Sequence, residues 1–160
     1  MGAELELRTV AQAADALHHA GQARKAAQVA ELIALHALCE LYHVDEDAAC
    51  SGAERLIYGG ADGTPLIGEF LALEVACLLG VSPVQAASRL AEALDLKFRL
   101  PRLWEAVLGG RVDPHAALIV ARRTSVAELD QEAADRVDAR IATALILMPI
   151  GRVLRALPGW

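Results

Sequence analysis

The sequence predicts an all-α fold: a long N-terminal helix or helix pair followed by a compact multi-helix bundle with a helix-turn-helix-like element. Three observations lead there. Hydrophobic residues make up 55% of the 160-residue chain but aromatics only 4%, so the apolar content is Ala, Leu and Val rather than the aromatic and β-branched runs that sheets favour. Apolar positions recur at three- and four-residue spacing rather than alternating. Pro, Gly and small polar residues fall where helices start and stop. The length suits one domain, with 1–44 as a helical arm, 45–68 as an irregular linker and 69–160 as the bundle.

From Glu4 to about His43, helical spacing is kept by Leu5, Val10, Ala13, Leu17 and Ala20, then by Val29, Leu32, Ile33, His36 and Leu38. Gly21 either splits this stretch into two helices or only weakens one. A continuous helix of this length would be a rod of roughly 60 Å. So long a rod cannot bury its apolar stripe against so small a bundle, which predicts a partner helix and makes a homodimer the expected assembly. Leu17, Val29, Ile33 and Leu38 are the candidate interface residues. The linker gathers Gly52, Gly59, Gly60, Gly63, Pro65 and Gly68, with Asp62-Gly63 as a turn signal. One helical turn is expected at Ala53–Ile57, and no strand is predicted anywhere.

Six further helices are predicted at Glu69–Leu79, Pro83–Leu94, Pro101–Leu108, Pro114–Arg123, Glu128–Ala144 and Ile150–Leu157. Ser82-Pro83-Val84-Gln85 is a capping box with Pro at the first helical position. Gly109-Gly110 stops the helix that carries Trp104, and Asp113 caps the one that begins at Pro114. Ser125 or Leu129-Asp130 opens the next, and Pro149 ends it.

The net charge of −6 is unevenly spread: residues 1–80 hold 4 basic and 12 acidic side chains, residues 81–160 hold 11 and 9. This is not the strongly basic footprint of an independent nucleic-acid binder. Cys39, Cys50 and Cys77 are odd in number and irregular in spacing, as expected of reduced thiols in a cytoplasmic protein. No signal peptide is recognisable, and the longest uncharged apolar run, Ile141–Ile150, is too short for a bilayer, so no membrane association is expected.

Several constellations bear on function. Val75, Ala76, Leu79, Gly80, Val81 and Ser82 follow the order of a helix-turn-helix, whose second helix would offer Gln85, Ser88, Arg89 and Glu92 to a DNA groove. Arg89 stands where that motif normally has an apolar residue, and an αα-hairpin that only packs fits the same pattern. The segment from Lys97 to Trp104 alternates cations with apolar groups: Lys97, Arg99 and Arg102 could track a phosphate backbone, or point to water around a core of Phe98, Leu100, Leu103 and Trp104. Arg122, Arg123, Arg152 and Arg155 would extend such a patch if the fold gathers them. His36, Cys39, Glu40 and His43 share a helical face, but one helix rarely completes a metal site, and no metal or other cofactor is expected. Asp113 and His115 read as a cap with a first-turn residue. The loop Gly59–Pro65 lacks the Gly-Lys-Ser/Thr ending and the preceding strand of a phosphate-binding loop.

Gly63-Thr64-Pro65 with Glu69-Phe70, then Leu79-Gly80-Val81-Ser82, then the run from Leu94 to Trp104, closed by Gly110-Arg111-Val112 and Thr124, together resemble the 13E12 repeat family of actinobacteria. The resemblance spans about Arg55 to Leu157. That region is a domain of unknown function, number 222, usually found ahead of an HNH endonuclease module. The resemblance implies a noncatalytic domain that assists DNA binding or target positioning for an HNH-type nuclease, with Gln85, Ser88, Arg89, Lys97, Arg99 and Arg102 as candidate contacts. An HNH centre needs His and Asn around a metal. This chain has no Asn, and its histidines fall in helical or capping contexts, so no nuclease activity is expected of it. The alternative is a protein–protein interaction and dimerisation module with no nucleic-acid role.

Overall fold

The structure is a computed structural model that describes residues 9–45, 50–126 and 129–156. Helix α1 (Val10–Leu41) is continuous through Gly21, whose surroundings are open. It opens on Thr9, whose hydroxyl accepts from the Gln12 N–H at 3.1 Å, and runs 32 residues, or about 48 Å. It ends at Tyr42, whose N–H returns to the Leu38 carbonyl and whose hydroxyl donates to Glu54 at 2.9 Å.

The described part of the linker, residues 50–68, is more regular than predicted. Two three-residue strands, β1 (Leu56–Tyr58) and β2 (Leu66–Gly68), pair antiparallel with Ile57 opposite Ile67. This corrects the expectation of no strand and of a helical turn reaching Ile57. The loop between them is held by side chains: the Gly60 N–H donates to Thr64 Oγ1 at 3.1 Å, the Thr64 hydroxyl to the Ala61 carbonyl, and the Ala61 N–H to Asp95 at 2.8 Å. At Gly60 a Cβ would lie 2.7 Å from the Asp95 carboxylate, so any other residue there would have to displace the side chain that braces the loop.

The bundle follows with α2 (Leu71–Leu79), α3 (Pro83–Leu94), α4 (Pro101–Leu108), α5 (Pro114–Val126), α6 (Gln131–Leu147) and α7 (Ile150–Ala156). Between α3 and α4 the chain does not stop at Leu94 but continues as a π-helical turn, Asp95–Arg99. Leu100 breaks the helix because Pro101 excludes helical geometry from the residue before it. Asp113 accepts from the His115 N–H at 2.9 Å and Asp130 from the Ala133 N–H at 2.7 Å, which sets the starts of α5 and α6. Of the two openings considered for α6, Asp130 is the cap.

The core is one cluster built on Leu71, Val75, Leu90, Leu94, Leu96, Leu100, Leu103, Val107, Val120, Ile141 and Val153. Helix α2 packs on α3, α4 on α6, and α6 on α7, while the π turn touches α3, α4, α5 and α6. Helix α1 lies across α3 and α5, but only with its C-terminal half.

Candidate functional site

Two features of the helix pair follow from its turn. Gly80 closes α2 with φ +63°, a left-handed conformation suited to glycine, and its N–H and that of Val81 both return to the Ala76 carbonyl. Ser82 then opens α3 through a complete capping box: Gln85 N–H to Ser82 Oγ at 3.3 Å, Ser82 N–H to Gln85 Oε1 at 3.2 Å. The segments Leu71–Leu79 and Pro83–Arg99 meet at 107°, within the range of helix-turn-helix units.

The side chains that α3 would offer to a nucleic acid are engaged within the protein. Gln85 is spent on the capping box, and the Ser88 hydroxyl donates to Glu92 at 3.2 Å. Arg89 pairs with Glu31 of α1 at 2.6 Å, and Glu92 also takes Arg122 of α5 at 2.7 Å. These residues rim a groove of about 320 Å³ between α1, α3 and α5, floored by Leu32, Leu35 and Leu118. The position of Arg89, awkward for a helix-turn-helix, is explained by its partner: it faces α1.

The basic segment divides in three. Arg99 is 1% exposed and donates to the Leu129 carbonyl, so it is a core residue and not a surface contact. Its burial corrects its place among the candidate phosphate contacts. The π turn is the cause: hydrogen bonding to i+5 brings residue 99 toward the buried side of Leu94, where a regular helix would leave it about 140° away. Lys97 donates to His36 Nδ1 at 3.1 Å and stands 5.8 Å over the Trp104 ring. Arg102 alone of the three keeps its head group at the surface, in a groove with Glu105 and Arg111. Leu100, Leu103 and Trp104 are core, while Phe98 sits at the edge against His36. Arg123, Arg152 and Arg155 are exposed.

The four apolar positions singled out on α1 also separate. Val29 and Leu38 are half-buried against this chain's own core. Ile33 is 48% exposed beside a groove lined by Val107, Leu108 and Val112, and Leu17 is 76% exposed far along the arm. Leu17 and Ile33 lie about 160° apart around the helix, so the four form no single face. The row that does form is different. Lys25, Gln28, Leu32 and Leu35 face the bundle, and Val10, Ala14, Leu17 and Gly21 extend the same row N-terminally at spacings of four, three and four. A Lys25–Asp113 ion pair of 3.1 Å ties this side of α1 to the start of α5. Burial alone would raise the Asp113 pKa, but Lys25 and the N–H groups of His115 and Ala116 hold it below the ordinary range.

Other candidates resolve plainly. His36 is buried, Cys39 is half-buried with its thiol pushed up to about 11 chiefly by burial, and among the described residues no three His, Cys, Asp or Glu side chains converge as a metal-ligand set. No single described helix is long and apolar enough to cross a membrane. The sequence reading missed two buried carboxylates that organise the fold, Asp95 under the hairpin loop and Asp138 at the start of α4, because their partners lie more than 30 residues away.

A predominantly helical module with one small β-hairpin, a helix-turn-helix-like corner and a projecting arm is the class the geometry defines. A family described as "Domain of unknown function (DUF222)" matches residues 35–149, and the chain belongs to that family. No curated protein and no solved structure matches it.

Proposed function

We propose that this chain is a noncatalytic interaction module whose α1 arm pairs with the arm of a second copy. The observation that carries this reading is the row on α1: the side that packs on the bundle from Lys25 to Leu35 continues through half-buried Gly21 to the exposed Leu17, Ala14 and Val10. Val10 is 88% and Leu17 76% exposed. A heptad-like row with small residues between larger ones suits close approach of two helices, and continuity with a face already used for packing makes a like face its natural complement. Sedimentation of the purified chain tests it. Burying one Leu is worth about 1.5–3 kcal/mol and a two-fold pair buries two, so Leu17→Glu should weaken association by at least about 100-fold. A monomeric parent protein at tens of micromolar sinks the proposal.

A second reading, DNA binding or positioning for an HNH-type nuclease, is favoured by the 107° helix pair and by the exposed Arg102. Against it stand the pairing of Arg89 and Arg122 with carboxylates and the burial of Arg99. Titrating labelled duplex DNA across a salt series decides it, since phosphate contacts make affinity fall steeply with salt.

A further inference from the structure

His36 is the most tightly enclosed titratable side chain on α1. It is 5% exposed, and its ring lies 5.7 Å from Phe98 of the π turn and 6.2 Å from Trp104 of α4, centre to centre. Its Nδ1 is approached by two groups of opposite charge: Lys97 Nζ at 3.1 Å and Glu40 Oε2 at 3.3 Å. Its Nε2 is buried with no partner among the described residues. An ammonium is only a donor, so the Lys97 contact is a hydrogen bond in the tautomer whose Nδ1 accepts and whose ring proton is on Nε2. Three elements thus meet at one imidazole: α1 supplies it, the π turn supplies the cation, and α4 supplies the ring beneath both.

We propose that His36 is a proton-operated clasp: while its imidazole is neutral it fastens the C-terminal half of α1 to the π turn and α4, and its protonation releases that half of the helix. Protonation removes the lone pair that Lys97 uses and sets two cations 3.1 Å apart. It also charges a ring whose Nε2–H has no acceptor in its enclosure. The charged groups acting on the imidazole are Lys97 from the π turn and Glu40 from α1, while α4 presents the Trp104 ring. Glu40 favours the charged form, but its side chain is 62% exposed and its pull is screened by water. Burial first, then Lys97, draw the His36 pKa below the ordinary imidazole value, with Glu40 opposing. The folded form therefore binds fewer protons than the unfolded chain. Docking of α1 is fully stable above about pH 6.5 and loses stability as pH falls through that value toward the lower folded-state one. This inference does not depend on whether the arm pairs with a second copy.

The test uses the full chain carrying Trp160→Phe, which leaves Trp104 as the single indole. Trp104 emission is titrated from pH 8 to 5, with hydrogen exchange over residues 29–41 measured at both ends. The expected result is a reversible emission change with its midpoint below about 6.5, accompanied by faster exchange in 29–41 on the acid side. Lys97→Met should move the midpoint up, Glu40→Gln should move it down, and His36→Gln should abolish the transition. A midpoint that stays put in both Lys97→Met and Glu40→Gln overturns the proposal, as does acid-side exchange in 29–41 that does not rise. If His36→Gln fails to fold, the opposite shifts of the other two variants still decide.

Discussion

Helix α4 begins at Pro101 with no side-chain cap from its own sequence. The N–H groups of Arg102 and Leu103 donate instead to the Asp138 carboxylate of α6, at 2.9 and 3.0 Å. Asp138 is 2% exposed, so this is a cap delivered from 35 residues away into the core. Replacing it by Ala leaves both donors without an acceptor. The Leu103 N–H is fully enclosed and the Arg102 N–H partly so, and an orphaned buried donor costs about 1–3 kcal/mol. Asp138→Ala is therefore expected to destabilise the fold by about 2–4 kcal/mol. Asp138→Asn keeps one acceptor oxygen where the two N–H groups use both, Oδ2 for Arg102 and Oδ1 for Leu103, so it sets an NH2 against one of them and should still lose about 1–3 kcal/mol. Urea unfolding followed by circular dichroism measures both, and in thermal scans about 2–4 °C per kcal/mol is expected for a chain of this length. The pH dependence has a sign. Burial raises the Asp138 pKa despite the two N–H bonds and Arg102, so the folded form takes the proton more readily than the unfolded one. The stability Asp138 contributes is then greatest below the unfolded value of about 3.9 and is lost as pH rises through the folded one, so the parent gains on Asp138→Asn as pH falls. The reasoning is refuted if Asp138→Ala stays within about 0.5 kcal/mol of the parent.

Two more outcomes follow from local geometry. Gly80→Ala meets open space but must hold φ +63°, so it should cost about 1–2 kcal/mol from backbone strain alone, and an unchanged urea midpoint would contradict the left-handed turn. Among the thiols, Cys50 and Cys77 are exposed while Cys39 is half-buried with its pKa near 11. Iodoacetamide at pH 7.5 should label the first two and reach Cys39 only in denaturant, as read by mass spectrometry, and equal labelling of all three in the folded protein would contradict the packing of α1.

What the sequence made legible was local. The Ser82 capping box, the Asp113 cap and the Gly80 turn each depend on residues within four positions of one another, and the structure has all of them where the spacing put them. The hairpin was illegible for the opposite reason. Strands of three residues show no alternation to read, and this pair is braced by Asp95, 34 residues beyond the loop N–H it accepts from. Of the candidate site, the identity of the residues was legible and their orientation was not. An arginine five positions after a buried leucine reads as surface in a regular helix, and only the π turn puts Arg99 inside. Arg89 read as an oddity of the helix pair until Glu31, 58 positions earlier, supplied its partner.

The same distinction governs the arm. Between Val10 and Lys25 six of the 16 residues are Ala, the strongest helix former, which helps the arm remain helical with little tertiary support. A row that existed only to keep the helix folded would not need Val10 and Leu17, both poorly served by water at this exposure. Helicity and pairing are therefore separable at Leu17. Leu17→Ala raises helix propensity while removing the largest apolar side chain of the uncovered row. It should leave the circular dichroism of the parent intact and shift the sedimentation equilibrium toward monomer, whereas a loss of helix with no change in mass would mean that Leu17 serves the folding of its own chain.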